Sequence, residues 1–492
     1  MPDRTRHERF PAIRWVLAGV LCFSCNTAKT PEGEQAAAGA PPAPLESVLP
    51  ELTLIHADDV SIRVIGASFF GSLGSMSGKR MSIQAGTRSP GEHRAPLLIP
   101  LRDDSDVSAG VALHEQYSTA RPAVGIVDSR TGQLEVLRSS DDDVMAEASG
   151  WFAGSIAVIG EDGADRNPPA WNCIIGDPGR GPGHVLSMRL DAVGRELSHP
   201  VEIHSGTKHG DATGYSLSLG RDASGRTLLW IGSPGFHVDS SGPGRIDCLS
   251  LDQRQLLHTT AGPAGFGRMI EVCGDVDGDG VDDALCGIEQ RGWSRTPGES
   301  TSELAWIGRV QFLSGRSGAV LWEWSGEEVG AVACAAVSTD SDSDSVPDLL
   351  FGLWPNRTAS AGDGQGYVAV VSSRTGAVLR RMELPLAPAE HPTSLSAAWL
   401  SGPVSRELLL VGFRDAPIDK RGFVVVDRLT GQRLARVEAT GLMDLGEDLR
   451  SAWSPEVGCC EVYALTWSGE FLRSGRGGPC CLIRFALSAT AG

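Results

Sequence analysis

A chain of 492 residues with 41% hydrophobic and 21% charged side chains has the composition of a folded protein and is too long for one small core. Its 43 Lys and Arg against 61 Asp and Glu leave a formal charge of −18, which repels phosphate backbones and anionic membrane surfaces and argues against nucleic-acid binding. The 61 Gly and 29 Pro call for many tight turns, in either several ordinary domains or one repeat architecture.

At the N-terminus, Arg4, Arg6, Arg9 and Arg14 precede the apolar run Trp15 to Phe23, followed by Ser24 and Cys25. The run is about half the length that spans a bilayer, so it reads as a secretory signal. Ser24 directly before Cys25 resembles a bacterial lipoprotein signal, in which the cysteine is lipidated after cleavage; Cys22 stands where leucine is usual. Ordinary signal cleavage and an uncleaved anchor are the alternatives. Residues 25 to 50, rich in Ala and Pro, lack the apolar content to pack and read as a disordered tether. Export permits disulfides. Beyond Cys22 and Cys25 the cysteine number is odd, so at least one thiol stays free. Cys459-Cys460 and Cys480-Cys481 are adjacent pairs, and Cys273 and Cys286 flank an acidic segment on strands expected to lie side by side. No Cys-x-x-Cys spacing supports zinc in the remainder.

One phrase recurs at a fixed period. Gly, any residue and an aliphatic begin at Gly183, Gly244, Gly308, Gly366 and Gly422, steps of 61, 64, 58 and 56 residues. Each opens a short strand that turns through a polar segment with Gly after Ser or Thr, as in Ser314 to Leu321, Ser373 to Leu379, Asp427 to Leu434 and Asp128 to Leu134. Glycine there supplies the positive φ of a tight hairpin. Upstream lies an apolar strand ending in glycine (Gly176, Gly232, Gly287, Gly352, Gly412), and before it a strand of small residues such as Gly214 to Gly220. Four short strands per unit and no helical periodicity predict an all-β chain built as a β-propeller. Seven blades of four antiparallel strands is the best count, with a degraded unit between Phe69 and Val144 and a last unit running from Gly446 to Leu487. The predicted division is therefore a lipoprotein-type signal at 1–24, a linker at 25–50 and a propeller at 51–492. The last unit ends after three strands, and Leu52 to Ile55 or Val60 to Val64 are the candidates to complete it.

Two segments carry chemistry. Asp275-Val-Asp-Gly-Asp-Gly-Val-Asp-Asp283 places carboxylates at positions 1, 3, 5 and 9 with Gly280 at position 6. Alternate residues on a curled loop point oxygens inward, which suits calcium with its six to eight oxygen ligands. Asp275, Asp277, Asp279 and Asp283 are the candidate side-chain ligands and Val281 the carbonyl donor. Asp340-Ser-Asp-Ser-Asp-Ser-Val-Pro-Asp348 repeats the spacing, with Ser345 in place of the glycine. Asp340, Asp342, Asp344 and Asp348 are its ligands and Val346 its carbonyl donor, with strain expected at Ser345. Each last aspartate precedes a blade glycine, Gly287 or Gly352, by four residues. Position 12 is Cys286 or Phe351 instead of Glu, which excludes an EF-hand. A metal-free acidic turn is the alternative.

Phe266-Gly267, the Gly274 to Asp283 segment and Gly287 together resemble the FG-GAP repeat of integrin α-subunit propellers and of bacterial envelope proteins. The related Gly-x-Pro ending is present at Gly176-Asp-Pro178 and Gly232-Ser-Pro234 but not in the two acidic units. The resemblance implies calcium at two sites, mainly stabilising blade loops, in an exported module that binds a protein or glycan at its propeller face. It also implies a place in the cell envelope, lipid-anchored on the periplasmic or surface side. No catalytic motif occurs; His204 and His209 read as surface-loop residues. The enzymatic alternative is a quinoprotein-like propeller, because Gly318 to Trp322 is similar to a quinoprotein blade ending, with Trp322 docking between blades; tryptophan is absent from the matching places after Gly376 and Gly431, which favours plain core packing of Trp322.

Overall fold

A computed structural model describes the strands 52–56, 60–70, 83–84, 97–103, 121–127, 134–137 and 155–160. From 170 to 489 it describes all but short connecting segments, the longest being 294–303, 355–365 and 469–479. The signal, Cys25 and the linker lie outside the described residues.

The described residues contain strands and no helix. They form seven sheets of three or more strands, numbered here in chain order. Sheet 1 holds Leu97–Asp103, Arg121–Val127 and Leu134–Leu137. Sheet 2 is built on Ser155–Gly160, Ala170–Asp177 and His184–Asp191. Sheets 3 to 5 are four-stranded meanders beginning at Ser216, Phe266 and Ala331. Sheet 6 begins at His391 and sheet 7 at Leu442. From sheet 2 onward, the first strand of each sheet packs against the first strand of the next. Meandering sheets stacked in this way through their first strands are the blades of a β-propeller.

The apolar strands read as continuous runs because both faces are buried. In sheet 6, Leu408 and Leu410 pack toward sheet 7, whereas Leu409 and Val411 pack toward sheet 5. Leu228 and Trp230 of sheet 3 face sheet 4, and Leu229 and Ile231 face sheet 2. Among the described residues the core thus sits between blades, one cluster at each interface from sheet 2 to sheet 7.

Of the two candidate segments, only the second completes the last unit. Val60–Phe70 pairs antiparallel with Cys480–Ala489 as the fourth strand of sheet 7. Leu52–His56 adds a fifth strand to sheet 6, with Leu54 opposite Val437. The two ends of the chain are therefore interlocked across adjacent blades.

The recurrent glycines set the spacing between blades. A Cβ on Gly176, Gly232 or Gly412 would lie 1.9, 1.9 or 1.7 Å from the carbonyl oxygen of Gly214, Gly267 or Gly446 in the next sheet. Those partner glycines have φ of +86°, +90° and +94°, a region that side chains rarely adopt. A serine on the first strand completes each contact: the Oγ of Ser155, Ser216 and Ser394 donates to the same carbonyls at 2.8, 2.7 and 2.5 Å. In sheets 4 and 5 the matching positions, opposite Gly287 and Gly352, are Met269 and Cys334, so this tie is absent there.

Cys273 and Cys286 lie on neighbouring strands but enter different cores, Cys273 the one shared with sheet 5 and Cys286 the one shared with sheet 3. Facing opposite ways, they cannot bridge, and both are free thiols. The C-terminal pairs are also far apart in register, Cys460 opposite Leu487 and Cys480 opposite Trp467.

Replacing Gly232 with Ala should lower stability by more than the roughly 1–3 kcal/mol of ordinary overpacking, because the obstacle is backbone. Gly242→Ala, where the nearest atom is 3.9 Å from the new Cβ, should change little. Denaturant midpoints of the two variants check this, and equal midpoints would remove the glycine contact as a determinant of blade spacing.

Candidate metal sites

Each acidic segment is the loop between the first and second strands of its sheet, Phe266–Gly274 to Asp283–Trp293 in sheet 4 and Ala331–Val337 to Leu349–Trp354 in sheet 5. The equivalence expected from the spacing is therefore met in three dimensions. The loops also fold alike, each around its first aspartate. Asp275 accepts from the N–H groups of Gly278 and Gly280 at 2.8 and 2.9 Å, and Asp340 accepts from Ser343 and Ser345 at 2.6 and 2.8 Å. Asp279 and Asp344 each accept from the valine two residues on, at 2.9 Å in both loops.

Oxygens of Asp275, Asp277 and Asp283 lie within 4.8 Å of one another, as do those of Asp340, Asp342 and Asp348. Two ligands of one calcium ion at roughly 2.4 Å sit at most about 5 Å apart, so both triads match the reach of such an ion. Asp279 and Asp344 stand outside the triads and face the hairpin between the third and fourth strands. Asp279 receives Ser314 Oγ at 3.4 Å and has Arg316 Nε at 3.9 Å, while Asp344 pairs with Arg374 Nε at 3.0 Å. For position 5 to ligate a cation, the carboxylate must turn from its arginine. Val281 and Val346 bury their side chains in adjoining interface cores.

The last aspartates differ. Asp283 accepts from Val276 and Asp277 through Oδ2 and from Gly315 through Oδ1. Burial nevertheless pushes its carboxyl up to about 6, against those hydrogen bonds and with the help of Asp277. Asp348 is 1% exposed; its Oδ2 accepts from Ser341 N–H at 2.6 Å, and its Oδ1 is buried without a hydrogen-bond partner. Burial raises its proton affinity as well, with Asp342 and Asp340 adding to the effect. An unpaired carboxylate oxygen in that position is costly unless protonated or bound to a cation.

The strain expected at Ser345 is present and doubled. Ser343 and Ser345 have φ of +64° and +72°, where the first loop has Gly278 and Gly280. Two non-glycine residues in the left-handed region together cost on the order of 2 kcal/mol.

The corresponding loop of sheet 3 holds no carboxylate series. Asp222 there accepts from Ser224 Oγ and N–H, from Arg226 N–H and from Arg226 Nε at 2.7 Å, and these bonds, Ser224 first, hold its carboxyl well below the usual range. Asp222 is thus satisfied within its own turn by Ser224 and Arg226. This turn also braces the first acidic loop, since Arg221 N–H donates to Asp282 Oδ2 at 2.7 Å.

Trp322 does dock between blades. It stacks on Phe312 at 5.0 Å and donates Nε1–H to the Ser373 carbonyl at 2.6 Å in sheet 5. Its register position in sheets 3 and 5 carries His258 and Arg380, each bonded to the next hairpin. The docking is thus a shared packing device with a variable side chain. His204 corrects the surface-loop reading: it lies on the strand Val201–Ser205, with Nε2 2.8 Å from the buried Asp247.

No family model matches the sequence, and no curated protein matches it either. Among solved structures the chain is similar to the Dos1 propeller, at 11% identity and a TM-score of 0.39, over 75% of this chain and 74% of that one. It is likewise similar to hydrazine synthase of Kuenenia stuttgartiensis, at 13% identity and 0.39, over 73% of this chain and 95% of that one. At those scores the likeness adds nothing to the strand order, on which the propeller assignment rests.

Because the Asp283 carboxyl is raised from an unfolded value near 4, its contribution favours the fold below about pH 4 and is lost as pH rises through about 6. The metal-free protein should therefore lose stability between about pH 4 and 6, and Asp283→Asn should flatten that fall. Thermal midpoints across this range in chelator check the sign; a rise in midpoint attributable to Asp283 would contradict it.

Proposed function

We propose that this chain is an exported calcium-binding β-propeller that serves as a binding, adhesion or scaffold module at the cell envelope. Calcium acts mainly on structure, holding the loops of sheets 4 and 5. The observation that carries the calcium reading is Asp348, a member of the second carboxylate triad whose buried Oδ1 lacks a hydrogen-bond partner. Two strained serines support it, because the loop keeps a costly backbone shape that gathers carboxylates. Asp275, Asp277 and Asp283 form one ligand set and Asp340, Asp342 and Asp348 the other. Asp279, Asp344 and the carbonyls of Val281 and Val346 are further ligands once the loop closes on the ion. Magnesium fits less well, since it resists dehydration and seldom occupies all-protein cages.

The export and anchoring part of the proposal rests on the N-terminal arginines, the short apolar run and the Ser24-Cys25 pair, with lipid on Cys25. The partner is a protein or glycan at the propeller face, a reading taken from fold and FG-GAP resemblance. Catalysis, including a quinone-dependent dehydrogenase, is not part of the proposal, because the Trp322 position is shared with His258 and Arg380 as an interblade contact.

Thermal unfolding in a calcium series tests the metal role. At a free concentration a hundredfold above the dissociation constant, each site should add about 2.7 kcal/mol. Asp277→Ala should blunt the rise in midpoint. Asp348→Asn should raise the midpoint in chelator, since it removes a buried charge, and reduce the response to calcium. Superimposable wild-type curves in chelator and calcium would end the calcium reading.

A further inference from the structure

The hairpins that contact the two acidic loops are themselves gripped from the preceding blade. In sheet 4, Gly315 faces two ways: its N–H donates to Asp283 Oδ1 at 2.7 Å, and its carbonyl accepts from His258 Nε2 of sheet 3 at 2.9 Å. The next residue, Arg316, donates from Nη2 to the carbonyl of Asp279 at 2.7 Å. Thr260, two residues beyond His258, donates Oγ1–H to the Gly318 carbonyl at 2.9 Å and so holds the other end of the same turn. A single short hairpin therefore joins sheet 3 to the middle and the last residue of the first acidic loop.

His258 suits this task. It packs edge-on against Trp230 at 5.5 Å, and its Nδ1 is buried without a partner, so the neutral ring carries its proton on Nε2 and points it at Gly315. In sheet 5 the hairpin is gripped in a similar way but meets the acidic loop through Asp344, with no bond to Asp348 Oδ1. Trp322 of sheet 4 donates to the Ser373 carbonyl, and the neighbouring Arg374 reaches Asp344. A Cβ on Gly376 would come within 2.9 Å of the Trp322 ring, so the turn is seated flat against the indole. His258 and Trp322 each stand eight residues after the first residue of their own hairpin, Ser250 and Ser314.

We propose that His258 and Trp322 are positioning residues for the cation sites of the blades that follow them, His258 acting through the Gly315 peptide unit on Asp283 and Trp322 through the Ser373–Arg374 segment on Asp344. The inference rests on the calcium reading above. Each site is then formed by the carboxylates of one blade but oriented by the side chain of another, which makes cation affinity dependent on the blade interface.

Calcium titration calorimetry on the full chain tests this, in two single-site parents. Asp348→Asn leaves the sheet 4 site and Asp277→Asn the sheet 5 site. Adding His258→Phe to the first should weaken calcium binding about tenfold, the scale of one lost hydrogen bond, while His258→Gln, which keeps an N–H donor, should restore most of it. Adding His258→Phe to the second parent should leave affinity unchanged, and Trp322→Phe, which keeps a stacked ring but no donor, should weaken that parent instead. Equal weakening of both sites by either substitution would mean general loosening and would overturn the proposal. Unaltered affinity with His258→Phe would do the same. If neither parent nor wild type binds calcium, the calcium reading fails and this inference falls with it.

Discussion

The close approach of glycine to a backbone carbonyl sets how near one blade stands to the next. At Gly176, Gly232 and Gly412 even a methyl group would fall inside the carbonyl of the neighbouring sheet. Serine hydroxyls hold those carbonyls, and the aliphatic clusters on both faces of each sheet fill the space that results. Sheets 4 and 5 depart from this pattern, with Met269 and Cys334 at the serine positions. These are also the sheets with the carboxylate loops, and both loops are braced from outside their own sheet. Arg221 of sheet 3 binds Asp282, and in the second case Glu407 of sheet 6 accepts from Ser338 and Thr339 just before the loop. The first of these contacts adds to the Ser216–Gly267 tie between sheets 3 and 4, and the second links sheets 5 and 6, where the serine tie is missing.

The blade repeat is legible in the sequence because its determinants are local. Glycines at the ends of apolar strands, and polar turns with glycine after Ser or Thr, must recur wherever the backbone recurs. The two acidic loops are legible for the same reason, since alternate aspartates on a tight turn are a short-range pattern. What is not legible depends on contacts across blades. Nothing near Gly315 indicates that His258, 57 residues earlier, will bond its carbonyl. The opposite orientation of Cys273 and Cys286 follows from a register that sequence spacing leaves open. Arg226 in sheet 3 is an intermediate case: Asp222 and Arg226 show the spacing of a self-paired turn, but only the fold places that turn against the first acidic loop.

The relative standing of the two acidic loops also changes with the structure. Loss of glycine at Ser345 weakens the second loop as a sequence motif. In the fold, however, the first loop satisfies Asp283 with three backbone N–H groups, whereas the second leaves Asp348 Oδ1 unpaired and holds two serines in a strained backbone. The second loop therefore gains more from a cation.

The most direct measurement is the number of calcium ions retained by the folded chain, by native mass spectrometry after equilibration with calcium and removal of excess. Two ions on the wild type, one on Asp348→Asn and one on Asp277→Asn are expected. A wild-type chain that retains none, or variants that retain as many as the wild type, would contradict the assignment of the two loops as cation sites.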